Sequence, residues 1–202
     1  MPRLVDHASR RAEIIQATWR SIAAHGIEAT TMRGLARELG LANGSVTHYF
    51  PHKKAILAAA FEHVFAATTA RYEAIAASEN LRGLAALRAF LVQTLPMDEE
   101  RLLEARIVIP FLEHAAIDAD MATLFRTKMD QWQQQLSELI AQARADGEVP
   151  ASLDTTGEID LILHAITGVQ AIGVLLPETA RGPRLTAMLD ILLSTMGSRT
   201  AT

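Results

Sequence analysis

The chain has 202 residues, half of them hydrophobic, 21% charged and 5% aromatic, with a formal net charge of −4 and no cysteine. This length and apolar content suit one or two compact units with a substantial core and argue against wholesale disorder. The lack of cysteine excludes disulfide scaffolds, thiolate zinc sites and cysteine nucleophiles, and it fits a reducing cytoplasm.

The first residues, MPRLVDHASRRAEII, hold no apolar stretch of signal-peptide length. Apolar runs such as Ala55–Phe61 are too short to span a bilayer, so a cytoplasmic protein without a membrane partner is expected. Apolar residues recur at three- and four-residue spacing, the helical period, and an all-α chain of about nine helices is predicted. The first runs from about Ser9 to His25 with Ile14, Ile15, Thr18, Trp19 and Ile22 on its buried side, and Gly26 ends it. Thr30 or Thr31 caps a short second helix, in which Leu35 and Leu39 point inward before Gly40 stops it. A third, from Gly44 to Phe50, is followed by Pro51 and a long helix from about His52 to Ala77. Five more are predicted: about Leu81–Leu95, a helix opening at Asp98-Glu99-Glu100 and disturbed at Pro110, Asp120–Ala145, Thr155–Leu176 and Pro183–Met196.

Charge is unevenly spread. Residues 1–54 hold eight Lys and Arg against four Asp and Glu, whereas the remaining 148 residues hold 11 against 19. Only the basic end is suited to a polyanion. Two short helices joined by a Gly-containing turn and packed on longer ones make a helix-turn-helix pattern. The third helix is short and polar: Val46 and Phe50 can anchor it, while Asn43, Gly44, Ser45, Thr47, His48 and Tyr49 remain to meet base edges and phosphates. Lys53 and Lys54 sit at a helix N-terminus, which the macrodipole disfavours unless a phosphate occupies that end. Thr31 and Arg33, opening the second helix, are candidate backbone contacts by the same logic.

Segment 31–54, TMRGLARELGLANGSVTHYFPHKK, resembles the DNA-binding end of the TetR family of bacterial transcriptional repressors. The likeness is carried by Thr31, Arg33, Leu35-Ala36, Leu39-Gly40-Leu41, Gly44-Ser45, His48-Tyr49-Phe50, Lys53 and Leu57. The start MPRL…RR and the HYF triplet also resemble the choline-responsive, BetI-like branch. Ala42 stands where that family commonly places a capping Ser or Thr, so capping is expected to pass to Asn43. The resemblance implies a DNA-binding domain over residues 1–54 and a ligand-binding and dimerisation domain over 55–202. It further implies a homodimeric repressor that binds a palindromic operator and is released by a small-molecule effector.

The C-terminal helices permit a dimer. Ile159, Leu163, Ile166 and Gln170 form one stripe, with Gly168 and Gly173 allowing close backbone approach, and Leu185, Met188, Leu189 and Leu192 form another. The same stripes also suit an intrachain core. Polar or aromatic residues on apolar helices are the ligand-pocket candidates: Arg106, Phe111, His114, Trp132, Gln135, His164 and Thr167. Enzyme signatures such as GxSxG, HExxH, a Walker loop or GxGxxG are absent, and so is Glu-x-x-His, so neither an enzyme nor a cofactor or metal is expected. A helical binding protein without DNA function, or an all-α enzyme built around His114 or His164, are the alternatives.

Overall fold

Helical periodicity is realised as helix throughout the described residues. The computed structural model describes residues 7–42 and 44–198, and among these it contains nine α-helices, one 3-10 turn and no strand. They are α1 (His7–Ala29), α2 (Met32–Glu38), α3 (Ser45–Tyr49), α4 (Lys53–Glu79), α5 (Gly83–Thr94), α6 (Glu99–Ala115), α7 (Ala119–Ala145), α8 (Thr155–Leu175) and α9 (Gly182–Ser198). The 3-10 turn covers Pro177–Thr179.

Of two predicted interruptions, one stands. Gly26, with φ at 79°, is non-helical and divides α1, so the first helical run ends there as expected and only a short turn follows to Ala29. Glycine alone takes that conformation without strain. Pro110 lies inside α6 without stopping it. Its ring holds φ near helical values, so the loss is confined to the bond to the carbonyl four residues back and a local clash.

The helices make two compact units. The first comprises residues 7–64 with Arg106–Ala122, and the second comprises Phe65–Ala105 with 123–198. The motif-based division at residue 54 follows the sequence pattern and does not coincide with these units. In the first, Ile14 and Ala17 of α1, Leu35 and Ala36 of α2, Val46 and Phe50 around α3, and Ile56 and Ala59 of α4 form a closed apolar core. Phe61 stacks on Phe111 with ring centroids 3.6 Å apart, which buries Phe111 completely.

In the second unit, Leu136, Leu139, Ile140 and Ala143 of α7 are buried, as are Leu87, Phe90 and Leu91 of α5. The α5 start is pinned by side chains around α7: Gln142 Oε1 accepts from Gly83 N and Glu148 Oε2 from Leu84 N. Asp154 caps α8 by accepting from Gly157 N. By length and composition α8 is apolar enough to cross a membrane, a test that buried core helices also pass. Here it packs Ile159, Ile162, Ile166 and Gly173 into the unit's interior.

Candidate nucleic-acid interface and ligand cavity

Thr31 takes an extended backbone conformation, and its hydroxyl accepts from Gly34 N at 3.0 Å, so it caps α2. Arg33 and Arg37 are exposed, while Leu35 and Ala36 face inward. At the other end, Leu41 N donates to Ala36 O at 2.8 Å and Gly40 N to Arg37 O at 3.2 Å, closing the helix with Gly40 at φ 65°. This is the left-handed C-terminal closure that glycine favours. It turns the chain into α3 within a few residues.

Short and polar, α3 holds its place through Val46 and through Phe50 just beyond it, exposed by 0% and 1%. Gly44, Thr47 and His48 are exposed, and Ser45 and Tyr49 half-buried, so the helix presents hydrogen-bonding groups outward. It begins at Gly44 without a side-chain cap. Asn43, expected both to cap this helix and to contact DNA, lies outside the described residues.

The two lysines opening α4 part company. Lys53 Nζ reaches Glu28 only at 3.4 Å to its carbonyl and 3.5 Å to its exposed carboxylate. Such long, solvated contacts are readily exchanged for a phosphate. Lys54 is not free for one. Its ammonium bonds Asp118 at 2.6 Å and Asp120 at 3.1 Å, and these hydrogen bonds hold its pKa above the ordinary lysine value. Asp118 is held below the usual carboxylate range by that bond first and then by Met121 N, which donates to it as α7 begins. The reading of both lysines as phosphate ligands is therefore corrected for Lys54, whose charge is satisfied within the fold.

The pocket candidates disperse. Trp132 and Gln135 share a cavity of about 440 Å³ in the second unit with Phe65, Thr69, Tyr72 and Glu73 of α4, Phe90 of α5, and Lys128 and Gln131 of α7. Its rings are clustered: Trp132 lies 4.4 Å from Phe65 and 5.5 Å from Phe90, and Tyr72 meets Phe90 at 5.4 Å. The buried Trp132 indole N–H has no acceptor among the described residues. His114 belongs to another cavity, of about 300 Å³ in the first unit, with Lys53, Lys54 and Asp118. Phe111 is core, Arg106 is half-buried in the first unit, and His164 and Thr167 are exposed on α8. His164 Nδ1 lies 2.6 Å from Asp160 O, and Thr167 donates to Leu163 O. Sequence reasoning missed Phe65, Thr69, Tyr72 and Glu73, although their spacing puts them on one face of α4. Among the described residues, no group of three or more His, Asp or Glu is arranged to hold a metal ion.

The interface candidates divide as well. Ile159, Ile166, Gln170, Leu185 and Leu189 are buried inside the chain itself, Gln170 donating to Thr94 O at 2.9 Å. Leu163 and Leu192 are half-buried and Met188 is exposed. The apolar surface left open is a displaced set: Leu161, Ile172 and Leu175 of α8 with Met188 and Ile191 of α9. Between the two helices an apolar groove of about 350 Å³ is lined by Leu161, Val169, Met188, Ile191 and Leu192.

Comparison with known proteins agrees with this architecture. Residues 14–60 match the bacterial regulatory proteins of the tetR family, and residues 83–198 match the C-terminal region of BetI-type transcriptional repressors. The transcriptional regulator PksA of Bacillus subtilis is 35% identical over 121 residues, 60% of this chain and 58% of that protein. The regulator BetI of Burkholderia thailandensis is 42% identical over 79 residues, 38% of this chain and 40% of the relative. The chain thus aligns with about half the length of these curated relatives. Two solved structures share the fold. A transcriptional regulator from Rhodococcus sp. Rha1 has a TM-score of 0.79 at 24% identity, covering 92% of this chain and 95% of that one. A regulator from Saccharomonospora viridis, solved in complex with choline, has a TM-score of 0.83 at 19% identity, covering 93% and 96%.

Proposed function

Since the chain belongs to the TetR family of bacterial transcriptional regulators, with the C-terminal region of its BetI-type repressors, we propose that it acts as a homodimeric repressor of a palindromic operator. The observation that carries this reading is α3 itself. It has two fully buried anchors and an outward set of Ser45, Thr47, His48 and Tyr49, on the one part of the chain with surplus positive charge. Groups that offer hydrogen bonds but no bulk to bury suit base edges in a major groove. Thr31, Arg33 and Lys53 are assigned to backbone phosphates, Gly44 and Ser45 to close approach at the start of α3, Thr47 to base readout, and His48 and Tyr49 to the contacts that flank it. A dimer would place two such helices about one turn of DNA apart.

The effector is assigned to the cavity around Trp132 in the second unit, where packed rings offer a surface for an apolar or cationic body and Glu73 a counter-charge. It releases DNA only to the extent that it binds the two states of the dimer differently. Choline, bound by the Saccharomonospora viridis regulator, is the first probe.

Selection from a randomised duplex library, followed by fluorescence anisotropy on the enriched duplex, tests the central claim. Enrichment of an inverted repeat is expected, with affinity falling steeply with salt. In the Lys53→Ala variant the salt slope should become shallower by about one unit, while sequence preference stays the same. Failure to enrich any sequence at low salt would overturn the reading.

A further inference from the structure

The first turns of α1 reach the C-terminal end of α3. The His7 ring lies 4.6 Å from that of Tyr49 and 6.1 Å from that of His48, and His48 stands edge-on to Tyr49 at 5.4 Å. One turn further along α1, the Arg11 guanidinium sits 4.4 Å from the centre of the Phe50 ring. His7 and Arg11, four residues apart, thus share the α1 face that holds the whole His48-Tyr49-Phe50 triplet. Phe50 is buried beneath, while His7 and His48 remain exposed. His7 also precedes the 14–60 segment that matches the tetR family, so that match assigns it no role.

We propose that His7, His48 and Tyr49 form one proton-sensitive contact for a DNA backbone phosphate, by which α1 enlarges the reading head. The proposal rests on the DNA-binding reading above. An imidazolium donates from both ring nitrogens and carries the charge that a phosphate attracts, and the Tyr49 hydroxyl adds a third donor. A phosphate held there favours the protonated rings, and by linkage protonation favours binding. The charged and titratable groups brought to this contact are His48 and Tyr49 from α3, with Arg10, Arg11 and Glu13 on α1 itself. Of these, Glu13 is paired with Arg10. The nearest acid of α2 in sequence, Glu38, is paired with Arg20. The ring contacts have a second effect: they limit the rotamers of His48 and Tyr49, so part of the reading face is ordered before DNA arrives.

The test is anisotropy on the library-selected duplex with the full-length protein, from pH 8 to pH 6 at fixed ionic strength. Wild-type affinity should rise over this range, by up to about tenfold per pH unit for each proton taken up. His7→Ala should weaken binding at pH 6 and flatten the profile. His7→Phe keeps a ring against Tyr49, so it should restore the affinity at pH 8 yet leave the profile flattened. A wild-type pH profile in His7→Phe overturns the proposal, as does His7→Ala binding like wild type throughout. Absence of binding by the wild type at every pH overturns instead the DNA-binding reading on which it rests.

Discussion

Arg71 and Glu104 show how one side chain can make another indispensable. Glu104 is 3% exposed, and its carboxylate takes both Arg71 terminal nitrogens, at 2.7 and 2.8 Å. Arg71 is further held by Thr68 and by the carbonyl of Gln93. Despite this fork, burial keeps the Glu104 pKa above the ordinary carboxylate value, so desolvation outweighs the attraction. Removing only the guanidinium leaves a buried, uncompensated carboxylate. Arg71→Leu is therefore expected to cost about 3 kcal/mol in urea unfolding at pH 7, whereas the double change to Leu at 71 and 104 should cost much less. The sign of the pH dependence follows from the raised pKa. The native state binds the proton more tightly than the unfolded chain, so this contribution is whole below the unfolded pKa of about 4.3 and declines as pH rises through the native value. In Arg71→Leu, which removes the attraction opposing desolvation, the decline should continue to higher pH. A double variant as unstable as the single one would show that packing, not charge, sets the cost.

At the scale of the element, α8 separates two glycines that look alike in sequence. A Cβ at Gly173 would lie 3.0 Å from the Pro96 ring and 3.2 Å from Ala180 Cβ, whereas one at Gly168 would meet nothing within 4 Å. Within the chain, close approach therefore occurs at Gly173, while Gly168, expected to allow the same, faces open space. Gly173→Ala should destabilise the fold by about 1 kcal/mol, overpacking against rigid neighbours exceeding the gain in helix propensity. Gly168→Ala should stabilise it by up to about 1 kcal/mol in thermal melts. A loss at Gly168 would mean that another surface covers that face in solution. The same helix shows where sequence stops being informative. Its existence follows from periodicity and composition, though its cap at Asp154 is not anticipated there, and the turn chemistry at Thr31 and Gly40 and the anchors Val46 and Phe50 follow as well. Which face of α8 turns inward does not, because apolar residues lie all round it and no single stripe stands out. The ring cluster at Trp132 was hidden for a related reason: its members come from α4, α5 and α7, and no local pattern joins them. Lys54 looked like a phosphate ligand until a partner 64 positions away, Asp118, closed on it.

For the whole molecule, the open apolar surface of α8 and α9 is where the proposed assembly can be tested. Leu175 is 73% exposed and Ile191 66%, beside a groove that is apolar along its length. Isolated exposed apolar residues are ordinary, but several on the two helices that line one apolar groove are what a surface covered by a partner would show. A second copy is the occupant that the proposed function requires, because a palindromic operator is read by a two-fold dimer. Ile191→Asp places a charge in that surface without touching the core. It should preserve the helical circular dichroism while halving the mass seen by light scattering. Operator affinity should then fall by at least about tenfold, since a lone half-site contact loses the second one held at high effective concentration. Ile117→Asp is the control: Ile117 is even more exposed, at 86%, but belongs to the first unit and to neither α8 nor α9. It should leave the mass unchanged. If Ile191→Asp keeps the mass and operator affinity of the wild type, the dimer is built on another surface and the groove between α8 and α9 needs a different occupant.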